Sequence, residues 1–182
     1  MYMNNTELII EQTKKWIIDV VIGCNFCPFA AKEIRQNTVH YEVEYSDKMD
    51  VCLHSFLNEC RRLDQQAVVE TSFLILPNAV AHFKDYLDLV SAAEKIIKKN
   101  GYEGIYQVAS FHPLYRFAGA PDDDAANYTN RSVYPMLHLL REESIERALE
   151  KYPEPGKIPE RNILFAREKG VAYMQMLREA CL

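Results

Sequence analysis

The sequence predicts an α/β fold: a small mixed or parallel sheet of at least three strands, with crossover helices, an N-terminal helix and C-terminal helices. Two observations carry this. Strand-like segments at about 38–46, 68–76 and 104–111 alternate with helix-period segments at 49–63 and 80–99, the order of α/β units. Right-handed crossovers would make the strands parallel wherever they are neighbours. The chain of 182 residues, 48% of them hydrophobic, suits one globular domain spanning 1–182, large enough to bury a sizeable core.

In residues 6–22, Leu8, Ile9, Trp16, Ile17, Val20 and Val21 lie near one helical stripe, and Asn4 with Glu7 has the spacing of a capping box. Gly23 breaks the pattern. "CNFCPFAA" then reads as a turn or short helix, since Pro28 suits a first turn and not a helix interior. "TVHYEVEYS" alternates Val39, Tyr41, Val43 and Tyr45 with polar residues, the period of a half-buried strand. "VVETSFLILP" is rich in β-branched and aromatic residues and stops at Pro77, as a central strand would. The helix at 80–99 is closed by Asn100 and Gly101, residues suited to a C-terminal cap. "GIYQVASFHP" is a strand ending at His112 and Pro113, and residues 134–151 and 159–180 read as helices separated by "YPEPGKIP".

A net charge of −5 argues against broad binding to nucleic acid or an anionic membrane. No stretch approaches the roughly 18 apolar residues of a membrane span. The N-terminal segment lacks the order of a secretory signal. Five scattered cysteines do not form a disulfide framework, and the expected compartment is the cytoplasm.

Residues 110–135 are the anomaly, because long irregular stretches in compact domains are generally functional or disordered. Phe111, Leu114, Tyr115, Phe117, Tyr128, Val133 and Tyr134 interleave with its charges, so an ordered loop is expected. It also begins at the carboxyl end of a strand, where ligands collect in open α/β sheets.

Within it, His112 could serve as acid, base or metal ligand, or simply cap the strand end. His138, on the helix expected next, could bind substrate or be a satisfied core residue. Asp122 or Asp123 could orient His112 or bind a cation, whereas Asp124 reads as a cap. Arg116 and Arg131 could clamp an anion, with Asn127, Thr129 and Asn130 beside them; the same groups could instead knit the loop through Asx turns. Cys24 and Cys27 form a C-x-x-C that follows a helix, unlike a thioredoxin pair. Cys27 alone, before Pro28, could have a lowered pKa and act as a nucleophile, or be buried and inert.

The segments "CPFA" (27–30), "VET" (69–71), "QVASFHP" (107–113), "FAG" (117–119), "NYTNRS" (127–132) and "YPMLHLLRE" (134–142) resemble a bacterial family catalogued as domain of unknown function 1415. The likeness covers nearly the whole chain. The family's first segment, G-L-N-L-C-P-F-A, matches Gly23, Asn25, Cys27, Pro28, Phe29 and Ala30 but has leucine at the position of Cys24, which weakens a redox reading of the pair. Proline stands in the family at the position of Val133. Cys27, His112, Asn127, Thr129, Asn130, Arg131 and His138 all fall in motif positions.

The resemblance supplies no reaction, and two function classes stay open. One is an enzyme acting on a small anionic metabolite: Arg131 and Arg116 hold the anion, His112 moves a proton, Asp122 or Asp123 orients it, and Cys27 is an optional nucleophile. The other is a noncatalytic module binding a metal or an anion with the same groups. A transition metal would favour His112, His138, Cys27 and one Asp; calcium or magnesium would favour Asp122, Asp123 and Asn127. No P-loop, G-x-G-x-x-G, H-E-x-x-H or G-x-S-x-G pattern is present.

Overall fold

The computed structural model describes residues 5–150 and 152–182; Asn4 of the expected capping box lies outside them. The first helix, α1 (Asn5–Trp16), buries Ile9, Thr13 and Trp16 at the i, i+4, i+7 spacing of one helical face. It continues as a π-helical segment, Ile17–Ile22, so that the Gly23 N–H reaches back to the Ile18 carbonyl at 3.0 Å. A Cβ on Gly23 would lie 2.2 Å from the Asp19 carbonyl oxygen, so the wide turn requires glycine. A short helix α2 (Ala30–Gln36) follows, and Asn37 ends it in the left-handed region at φ 55°.

The sheet comprises β1 (Val39–Val43), β2 (Thr71–Ile75), β3 (Tyr106–Phe111) and β4 (Met136–Arg141), in the order β1-β2-β4-β3. Helix α3 (Met49–Gln65) joins β1 to β2 in parallel, and α4 (Phe83–Lys99) leads from β2 to β3. The α/β class and mixed sheet match the sequence reading. Strand β4 corrects it: the expected helix over 134–151 is instead β4 followed by helix α5 (Glu142–Glu150). It lies between β2 and β3 and is antiparallel to both, so among the described strands only β1 and β2 are parallel neighbours. The physical reason is burial on both faces. Leu137 and Leu139 enter one core and Met136 the other, so apolar residues flank His138 on both sides in "MLHLL" and its period cannot separate strand from helix. A second correction falls at Gly170, whose φ of 80° divides the expected 159–180 helix into α6 (Ile158–Lys169) and α7 (Val171–Glu179).

Helices cover both sheet faces. Leu74, Leu137, Leu139 and Tyr106 pack with α3 and α4 through Phe56, Leu63, Tyr86 and Leu89. Phe73, Ile75 and Met136 pack on the other face with Trp16, Ile17, Val20 and Met174. No helix among the described residues is long and apolar enough to cross a membrane.

Replacing Gly23 by Ala should cost roughly 1–3 kcal/mol, the usual penalty for over-packing against atoms that cannot yield. Urea unfolding measures it; a variant with an unchanged midpoint would show that the turn does not require glycine.

Candidate functional site

The sheet register sets one row of side chains across all four strands on the α1 face: Tyr41 opposite Phe73, Phe73 opposite His138, and His138 opposite Ala109. The Phe73 and His138 rings stack with centroids 3.8 Å apart and planes 8° from parallel. Tyr41 continues the stack on Phe73 at 5.9 Å. On the far side of His138 the row ends in the small Ala109, and there a cavity of about 590 Å³ opens. Its floor is the sheet, through Thr71, Phe73, Ala109, Phe111, His138 and Leu140. Its walls come from Trp16, Ile17 and Val21, from Cys27 to Ala30 with Ile34, and from Ile145 and Ala148 of α5. No residue of α5 is buried, because the apolar side of this helix borders the cavity instead of a packed core.

His138 is fixed within this floor. Its Nε2 lies 2.6 Å from Thr71 Oγ1, and that hydroxyl donates to the Leu139 carbonyl at 2.7 Å. A hydroxyl has one hydrogen, so with it committed to Leu139 the imidazole Nε2–H must be the donor to Thr71. The Nδ1 lone pair is therefore left bare. It forms no hydrogen bond among the described residues, yet the one sealed, unpartnered side-chain polar atom among them is the Tyr41 hydroxyl, so Nδ1 opens to the cavity. Burial pushes the imidazole pKa down to about 3, which keeps the ring neutral and Nδ1 available as a hydrogen-bond acceptor.

Cys27 borders the same cavity. Burial pushes its thiol pKa up, against an opposing pull from the backbone N–H groups of Phe29 and Ala30; the lowered pKa expected from its place before Pro28 is corrected to a raised one. The thiol is thus protonated at neutral pH when the cavity holds only solvent. All five cysteines are free, and Cys24 is buried.

The structure brings Cys27 and His138 to one cavity and places the other sequence-derived candidates elsewhere. His112 is buried, with Nε2 donating to the Val80 carbonyl at 2.8 Å and Nδ1 accepting from the Leu114 N–H at 2.9 Å. Both nitrogens are engaged, fastening the loop after β3 to the segment before α4. Arg116 pairs with Asp122 at 2.9 Å on the exposed surface, where such pairs contribute little, and Asp123 is exposed. Asp124 caps the 3-10 turn Ala125–Thr129 by accepting from the Ala126 N–H, and it pairs with Arg167 of α6 at 2.7 Å.

The remaining polar groups of the loop turn inward on it. Asn127 accepts from the Phe117 N–H at 3.0 Å and donates to the Pro121 carbonyl at 2.9 Å. Thr129 donates to the Ala126 carbonyl at 2.9 Å, and Asn130 to the Ser110 carbonyl at 3.2 Å. Arg131 donates to the carbonyls of Tyr115 at 3.0 Å and Asp122 at 2.9 Å, with its guanidinium over the Tyr128 ring. Residues 110–135 thus form a brace, the Asx-turn alternative of the sequence reading.

Thr71 and Ala109 were not singled out from the sequence, because both acquire meaning only from strand register, and a helical "MLHLL" hides the register. Among the described residues the only group of His, Cys, Asp or Glu close enough to hold a metal is His40, Glu42 and Glu59, on the opposite sheet face. There Arg62 already bonds Glu59 at 3.1 Å and Glu42 at 3.3 Å. The set of His112, His138, Cys27 and an aspartate is not assembled.

Arg131→Lys should lower stability by about 1–2 kcal/mol, since a lysine cannot reproduce the two directed bonds to the Tyr115 and Asp122 carbonyls, and should leave ligand binding in the cavity unchanged. Thermal unfolding together with a binding titration checks both; weakened binding at full stability would return Arg131 to the site.

A search of curated proteins finds no match, and a search of solved structures finds none. A family match does exist, over residues 8–176, nearly the whole chain and including every residue of the cavity floor. The chain belongs to the family described as Protein of unknown function (DUF1415).

Proposed function

We propose that this protein is an enzyme for a small anionic metabolite with an apolar body, bound in the cavity beside His138. The observation that carries the reading is one atom: a bare imidazole nitrogen, held in a fixed tautomer, opening into a mainly apolar cavity of about 590 Å³. Small-molecule sites generally occupy roughly 300–1,000 Å³ and combine apolar walls with a few placed polar groups.

His138 would accept a hydrogen bond at Nδ1 and orient the substrate, with Nε2–H anchored on Thr71 so that the ring keeps its direction. Cys27 lines the same cavity as a protonated thiol, its pKa raised by burial. The anion finds partners at the mouth, where Lys32 and Arg147 border the cavity with exposed side chains. This reading retains the anionic substrate of the sequence analysis and moves its site from the 110–135 loop to the sheet floor.

The test compares wild type with His138→Phe, which preserves a ring against Phe73, in incubations with a bacterial small-molecule extract followed by mass spectrometry. At least one anionic species should be consumed by wild type and untouched by His138→Phe. Ala109→Phe, which fills the cavity from β3, should abolish the same consumption. No difference among the three proteins would exclude an enzyme working at this cavity.

A further inference from the structure

The polar groups around the cavity restrict what its occupant can be. On the floor, the Thr71 hydroxyl hydrogen is committed to the Leu139 carbonyl, and the oxygen receives Nε2–H of His138. In the wall, the indole N–H of Trp16 donates to the Arg131 carbonyl at 3.2 Å. Among the floor residues Thr71, Phe73, Ala109, Phe111, His138 and Leu140, the side-chain group left free is therefore the Nδ1 lone pair, which only accepts. Lys32 and Arg147, 64% and 60% exposed and each beside a glutamate, also line the cavity, as do Glu33, Glu70 and Arg141.

An anion at the floor would face a lone pair and find no donor. An apolar group there would leave Nδ1 desolvated and unpaired. A hydrogen-bond donor meets neither obstacle. We propose, resting on the cavity reading above, that the ligand is bifunctional: a hydroxyl or N–H group at its buried end bonds His138 Nδ1, an apolar body fills the middle, and an anionic group lies at the mouth. The polarity follows from the molecule's own donors and acceptors.

Three fluorescent probes of one shape test this: 6-hydroxy-2-naphthoate, 6-methoxy-2-naphthoate and 2-naphthoate. Wild type should bind the hydroxy compound at least about 5-fold more tightly than either of the others, because only it satisfies Nδ1. In His138→Phe the three affinities should converge to within about 2-fold, as expected once the acceptor is gone. Equal affinities for wild type, or a hydroxyl preference that survives in His138→Phe, would overturn the donor-end inference while leaving the cavity as a binding site. Failure of all three to bind wild type would overturn the cavity reading and this inference with it. The wild-type comparison needs no variant, so the inference stays falsifiable even if His138→Phe does not fold.

Discussion

The insertion of β4 between β2 and β3 is the constraint on which the rest depends. An antiparallel strand at that position completes a four-stranded sheet, divides its side chains between two cores, and puts His138 directly opposite Phe73 and Ala109. Were β4 at an edge, the imidazole would lose one of those neighbours. Phe73 supplies the stacking surface, Ala109 supplies the space, and Thr71, two residues along β2 on the same face, fixes the tautomer. A single pairing decision thus sets both the fold and the chemistry of its floor.

The long stretch between β3 and β4 follows from the same constraint. The chain leaves the sheet at Phe111 and returns beside it at Met136, with a connection whose buried polar backbone must find partners. Asn127, Thr129, Asn130 and Arg131 supply them from within the loop. Asp124 ties the loop to α6 through Arg167, and Arg178 of α7 donates to the Ser132 carbonyl at 2.7 Å. His112 adds the fastening to Val80, a residue in the left-handed region at φ 49° whose carbonyl accepts the imidazole N–H. The loop is rich in polar side chains because it is long, ordered and without regular structure of its own.

Much of the fold was legible because its signals are local. The alternation in "VHYEV", the buried run "TSFLI" and the cap at Asn100 each act within a few residues, and each marks an element that exists. The reading failed where information is nonlocal: "MLHLL" is a strand because both of its faces are covered by other parts of the chain. The site inherited that difficulty. Cys27 and His138 were identifiable as chemistry-bearing residues, but Thr71 and Ala109 are ordinary in sequence and become site residues only through register. Conversely, Arg131 and His112 have the composition of a binding site, and only hydrogen-bond geometry shows them occupied by their own backbone.

The central claim is that His138 is a neutral, tautomerically fixed imidazole with Nδ1 bare. Long-range 15N–1H correlation spectra of the histidine-labelled protein, with His138 assigned by its loss in His138→Phe, observe that state directly. Because burial lowers the folded-state pKa to about 3, the ring should remain neutral as pH falls from 7 to 5, with the proton on Nε2 and an unprotonated Nδ1 throughout. A ring that carries its proton on Nδ1 at pH 7, or that becomes doubly protonated near its ordinary pKa of about 6.5, would contradict the account.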